Sequence, residues 1–155
     1  MRTGSVFLML FVLLFSCDKK PGEKNLFDLL EASSTGIEFS NSLTPRADLN
    51  MLKYMYFYNG AGVGAGDFNN DGLVDIFFTA NQVSNRLYLN QGSFKFKDVT
   101  RPAGVPDDGG WSTGVAVVDI NNDGMLDLYV CRVGNYASLK SRNLLLVCQV
   151  IDKDG

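Results

Sequence analysis

The sequence predicts an all-β chain built from a repeated strand, loop and strand. Three observations carry this. Asp67-Phe68-Asn69-Asn70-Asp71-Gly72-Leu73-Val74-Asp75 returns 52 residues later as Asp119-Ile120-Asn121-Asn122-Asp123-Gly124-Met125-Leu126-Asp127, both obeying D-x-N-x-D-G-x-x-D. The segments after the loops, Asp75-Ile76-Phe77-Phe78-Thr79 and Asp127-Leu128-Tyr129-Val130-Cys131, are short and rich in aromatic and β-branched residues, a strand composition. The segments before them, Gly62-Val63-Gly64-Ala65-Gly66 and Thr113-Gly114-Val115-Ala116-Val117-Val118, have strand length too, with small residues dominating the first. Each loop therefore joins two strands.

Alternate positions of each loop carry oxygen. In the first, Asp67, Asn69, Asp71 and Asp75 offer side-chain oxygens and Leu73 its carbonyl; in the second, Asp119, Asn121, Asp123 and Asp127 do so with the Met125 carbonyl. A hard cation such as Ca²⁺ takes about six to eight oxygen ligands, and three carboxylates in one short loop repel one another unless a cation lies among them. The pattern therefore predicts two Ca²⁺ sites, completed by water. A solvated turn is the competing reading of a single Asp-Asn-Gly cluster, and two copies in one register weigh against it. An EF-hand is excluded, because its twelfth loop position requires Glu and its flanks are helices, whereas these loops reach Phe78 and Val130 there.

The pattern of strand, loop and strand, with a hairpin closing on Phe96-Lys97-Asp98-Val99-Thr100-Arg101-Pro102-Ala103-Gly104-Val105, resembles the FG-GAP or VCBS repeat of integrin-α-type β-propellers. Within that family it is similar to the bacterial lipoproteins related to cartilage acidic protein. A fainter echo runs from Phe27-Asp28-Leu29-Leu30-Glu31 to Gly36-Ile37. The resemblance implies calcium-binding loops and four-stranded antiparallel blades. Residues 26–61 would be a partial repeat or cap, and 62–105 a complete blade with strands at 62–67, 74–79, 86–90 and 94–100. Residues 106–155 would be a truncated second blade with strands at 113–119, 126–132 and 143–149. Propellers close with typically four to eight blades and repeat arrays need about three units. About one and a half blades of an incomplete propeller identify the chain as the N-terminal piece of a longer protein; standing alone, its second blade would be exposed and poorly ordered.

Residues 1–16 read as an export signal: Arg2 opens it, an apolar stretch follows from Val6 to Phe15, and Ser16-Cys17 ends it. The apolar stretch is about half the roughly 20 residues a membrane-spanning helix needs, and suits the core of a signal peptide. Leu14-Phe15-Ser16-Cys17 resembles a lipobox, with Cys17 as the lipidated residue and residues 17–25 as a polar tether. Membrane attachment through that lipid, in the periplasm or on the cell surface at the outer membrane, is the expected location. Removal of residues 1–16 leaves 13 of the 14 basic side chains against 17 acidic ones, a formal charge of −4 that two Ca²⁺ would cancel. The chain has no histidine, which argues against zinc, and no basic run dense enough for nucleic acid.

Cys131 and Cys148 fall in neighbouring strands of the second repeat, where two readings stand: a disulfide in an oxidising compartment, or small buried hydrophobes. Gly110-Trp111-Ser112-Thr113-Gly114 matches G-x-S-x-G, but a nucleophile elbow needs a strand-to-helix turn and a base, and this segment leads into a strand. The glycine run at 60–66 lacks the following helix of a dinucleotide loop, and fits a crowded strand near a propeller axis instead. Tyr54-Met55-Tyr56-Phe57-Tyr58 alternates as a strand would, with the tyrosines on one face and Met55 and Phe57 on the other. Residues 38–59 lengthen the first repeat as a cap, an extra strand or a closing piece. No residue is assigned to catalysis. The sequence reads as a calcium-stabilised repeat region that binds an extracytoplasmic glycan or protein, with a scaffold for a larger enzyme or a purely structural surface repeat as the alternatives.

Overall fold

The computed structural model describes residues 25–106 and 108–149. The export segment, Cys17, all but the last residue of the tether, and the chain from 150 onward lie outside the described residues. Strands β1 (Val63–Gly66), β2 (Asp75–Phe78), β3 (Arg86–Asn90) and β4 (Phe96–Asp98) form one antiparallel sheet in chain order. β5 (Ser112–Val118), β6 (Asp127–Arg132) and β7 (Leu144–Leu146) form a second, three-stranded sheet. These are two blades of a β-propeller, one with four strands and one with three. Apart from the helical turn α1 (Ala32–Thr35), the regular structure of the described residues is all β.

Glycine sets the distance between the blades. A Cβ on Gly62 would lie 2.8 Å from the Gly114 Cα, and one on Gly64 2.9 Å from a Val117 methyl. β1 therefore packs backbone-first against β5, and Phe77 and Leu87 beside it join Phe68, Leu128 and Val130 in one buried cluster. The face that blade one turns to blade two recurs on blade two itself. The repeat carries Gly64, Gly66 and Phe77 to Ala116, Val118 and Tyr129, and Leu87, the partner of Phe77, to Leu145, the partner of Tyr129. Those second-blade side chains face solvent.

The opposite face of blade one is covered by its own N-terminal strap. Gly36 lies against the Phe96 carbonyl of β4, and Phe39 stacks on Phe78 of β2 with ring centroids 4.8 Å apart. Thr44 and Gln82 then exchange two hydrogen bonds, of 2.5 and 3.0 Å. Beyond the strap, the aromatic run departs from the alternation read in the sequence: residues 55–58 are turns and Tyr54 before them is irregular, so none is strand. The Asn50 side chain accepts from the N–H of Leu52 and Lys53, and the Asn50 carbonyl from Lys53 and Tyr54, so the chain coils from that cap. Tyr54 and Phe57, three apart, then fall on one side, where they pack with Leu49, Trp111 and Leu139. Tyr56, Tyr58 and Met55 are exposed. Residues 38–59 are thus a strap and a cap without strands.

Two further expectations are corrected by backbone geometry. Phe94 belongs to the β3–β4 turn, where Gly92, Ser93 and Phe94 all take left-handed φ of 83°, 51° and 56°; β4 begins only at Phe96. The Cys131–Cys148 disulfide is excluded by register. Val130 pairs with Leu144 and Leu128 with Leu146, so Cys131 and Cys148 lie at opposite ends of the ladder, more than about 10 Å apart at the rise of a strand. Both are free thiols, Cys131 on the exposed face.

Asn81 joins the parts. It is buried, its amide nitrogen donates to the Gly60 carbonyl at 3.1 Å and the Ser112 carbonyl at 2.8 Å, and its oxygen accepts from Asn41 at 2.7 Å. The Asn81 N–H donates in turn to the Asn41 side chain at 3.0 Å. Strap, blade one and blade two therefore meet at one side chain with no unused polar atom. Asn81→Leu strands the Gly60, Ser112 and Asn41 groups, and is expected to lower the unfolding free energy by about 2–4 kcal/mol in urea titration.

Candidate metal centres

The two acidic loops adopt one geometry, bond for bond. Asp67 opens the first by accepting the N–H of Asp71 on one oxygen at 3.1 Å and of Gly72 on the other at 2.8 Å. In the second, Asp119 accepts from Asp123 at 3.1 Å and Gly124 at 2.9 Å. Asn69 and Asn121 accept the same Asp71 and Asp123 N–H groups, at 3.3 and 3.1 Å. Asp71 then accepts from Leu73 N–H, and Asp123 from Met125 N–H, both at 2.8 Å. Asn70 and Asn122 take left-handed φ of 54° and 59°, Gly72 and Gly124 of 86° and 87°. Side chains at the first and third positions thereby face one backbone N–H at the centre of each turn.

The ninth position is different in kind. Asp75 and Asp127 are wholly buried. One oxygen of Asp75 accepts the Phe68 N–H at 2.9 Å, and the other the Asn90 N–H at the end of β3 at 2.8 Å. Asp127 repeats this with Ile120 at 3.0 Å and Cys148 at 2.8 Å. Asp75 thus ties its loop to the last residue of β3, and Asp127 ties its loop to the chain just past β7. Burial pushes the Asp75 carboxyl above the usual carboxylate range; the Asn90 and Phe68 N–H groups pull it back, and the charges of Asp71 and Asp67 raise it again.

The loops also touch each other. The Asn70 amide donates to the Met125 sulfur at 2.9 Å and reaches the Gly124 carbonyl at 3.4 Å, and the Cys148 thiol lies 3.3 Å from the Phe68 carbonyl. Among the described residues, no three Asp, Glu, Cys or His side chains close around one point. The Asn69 and Asn121 amides instead donate to Asp71 and Asp123 at 2.9 and 2.8 Å. The donor set itself is all oxygen and hard, which suits Ca²⁺. Asn81, Asn90 and Thr100, whose hydroxyl accepts the Leu87 N–H at 3.0 Å, escaped the sequence reading. A signal for Asn81 existed, since the repeat has Val133 at the matching position.

The FG-GAP-like repeat family model matches residues 53–130. Cartilage acidic protein 1 of Xenopus tropicalis is 31% identical over 104 residues, covering 64% of this chain and 16% of that protein. The Mus musculus protein of that name is 38% identical over 69 residues, 44% of this chain and 11% of its own. The Homo sapiens protein is 34% identical over 82 residues, 53% and 12% respectively. These relatives are vertebrate, not bacterial, and the chain aligns with only 11 to 16% of their length. No solved structure matches the chain significantly.

The geometry separates two roles within one motif. In a chelator, Asp75→Asn is expected to cost about 1–3 kcal/mol, because its new amide N–H₂ faces a backbone N–H in a buried site. Asp71→Ala, on the exposed turn, should cost under about 1 kcal/mol in the same urea titration.

Proposed function

Since the chain belongs to the FG-GAP-like repeat family, we propose that it is the calcium-stabilised β-propeller repeat region of an exported, lipid-anchored protein that binds or adheres and does not catalyse. The twin loops carry this reading, because each concentrates three carboxylates in one turn with the same hydrogen-bond geometry. Asp67, Asn69, Asp71, Asp75 and the Leu73 carbonyl would hold one Ca²⁺, and Asp119, Asn121, Asp123, Asp127 and the Met125 carbonyl the other. The ion would supply positive charge where Asp75 is buried beside two further carboxylates. The Asn69 and Asn121 amides would release Asp71 and Asp123 and turn their oxygens inward. Asp75 and Asp127 already hold the strand ends in place, so only the exposed part of each loop has to rearrange. The result is a stiffer blade edge, not an activated water.

For catalysis the chain offers little. Ser112 of the G-x-S-x-G match is buried at the start of β5 and leads into a strand, and the chain has no histidine to act as its base. A scaffold role within a larger enzyme, or a structural surface repeat, remains the second reading of the same fold. Export and anchoring rest on residues 1–16 and Cys17; among the described residues no helix is long and apolar enough to cross a membrane.

Addition of Ca²⁺ to the full chain at about 1–10 mM, the range extracellular modules require, is expected to raise the melting temperature by several degrees. Asp71→Ala and Asp123→Ala should each remove about half of the rise; an unchanged melt at saturating Ca²⁺ contradicts the metal reading. For the anchor, metabolic labelling with a fatty acid should mark the wild type and disappear in Cys17→Ala, and label persisting in that variant would rule out lipidation there.

A further inference from the structure

A cleft of about 510 Å³ opens at the end of blade two opposite the acidic loops. Segments far apart in sequence wall it: residues 108–110 before β5, Arg132 at the end of β6, residues 138–142 between β6 and β7, Leu144 of β7, and Arg46 from the cap. The chain is formally −3, yet this cleft gathers Arg46, Arg132, Lys140 and Arg142. Local charge is thus opposite to that of the molecule.

Arg132 is the built part. Its side chain is only 3% exposed, and one terminal nitrogen donates to Asp108 at 2.7 Å. The buried Nε has no partner. The guanidinium lies flat on Gly110, where a Cβ would approach it to 2.5 Å, so glycine is required for that seat. Asp108, 47% exposed, is the one carboxylate lining the cleft among the described residues. The other cations are weakly engaged: Arg46 meets exposed Asp48 at 3.5 Å, Lys140 donates to the neutral Asn135 amide, and Arg142 makes no ion pair among the described residues.

We propose that this cleft binds the oxyanion of an acidic sugar, a carboxylate or sulfate held by Arg142, Lys140 and Arg46 above the buried Arg132 and its exposed partner Asp108. Guanidinium groups suit oxyanions, to two of whose oxygens they donate in parallel. Of the remaining wall, Leu139 and Leu144 are apolar, while Ser138, Ser141 and the glycine backbone at 109–110 offer hydrogen-bonding groups suited to a hydroxyl-rich ligand. This deepens the ligand-binding half of the proposed function and does not depend on the metal half.

The test is calorimetric titration of the full chain, at low and high salt, with a sulfated oligosaccharide, a uronate oligosaccharide, uncharged dextran, a polyglutamate peptide and inorganic sulfate. The acidic oligosaccharides should bind and weaken with salt, and dextran should not bind. Arg142→Ala with Lys140→Ala should weaken binding at least about tenfold, while Lys97→Ala on blade one leaves it unchanged. Equal binding of dextran, tighter binding of polyglutamate, inorganic sulfate as tight as the oligosaccharides, an unaffected double variant, or no binding at all each overturns the proposal. The melting response to Ca²⁺ is measured on the same samples, so loss of sugar binding with that response intact sinks this inference alone, and the converse sinks only the metal reading.

Discussion

Each blade depends on one buried carboxylate shared between two strands' worth of backbone. Asp75 takes the Phe68 N–H from the loop and the Asn90 N–H from the end of β3, and Asp127 does the same with Ile120 and Cys148. A buried charge is costly unless it is fully hydrogen-bonded, and here the bonds come from backbone groups that would otherwise be stranded where the loop leaves the sheet. The carboxylate therefore fixes where β2 begins, where β3 ends and how the loop between β1 and β2 stands. The more exposed Asp67, Asn69 and Asp71 are then presented on a rigid base.

That clamp repeats because the blade repeats, and the faces between blades follow from it. Once the loops are fixed, Gly62 and Gly64 place β1 against the backbone and valines of β5, and Phe77 and Leu87 fill the space beside them. The matching face of blade two, with Ala116, Val118, Tyr129 and Leu145, is exposed, while the reverse face of blade one lies beneath the strap that carries Phe39. The pair of blades thus has a covered side and an open side. The acidic loops lie at one end of the sheets and the basic cleft around Arg132 at the other, so the proposed stabilising and binding roles occupy separate surfaces.

Much of this was legible in the sequence, and the limits have physical causes. The D-x-N-x-D-G-x-x-D copies and their flanking runs located β1, β2, β5 and β6 to within a residue or two, and β3 at 86–90 was read as it stands. Local patterns determine local turns, and here pattern and turn agree. The aromatic run at 54–58 misled because alternation and a three-residue spacing coincide over so short a stretch, and the Asn50 cap decided for coiling. For Cys131 and Cys148 the sequence left two readings open because adjacency of strands says nothing about register, which the structure supplies. The cluster of Arg46, Arg132, Lys140 and Arg142 was invisible because it joins segments distant in sequence that only the assembled blades bring together, and Asn81 showed only as a difference from Val133 that does not name its partners.

The central claim is that one buried carboxylate holds two distant amides in each blade. Amide hydrogen exchange followed by NMR on the wild type, Asp75→Asn and Asp127→Asn tests it most directly. The account predicts that the Phe68 and Asn90 amides are protected in the wild type and lose protection together in Asp75→Asn. Ile120 and Cys148 should respond in the same way to Asp127→Asn alone. Fast exchange of these amides in the wild type, or a variant that frees one member of a pair without the other, would contradict it.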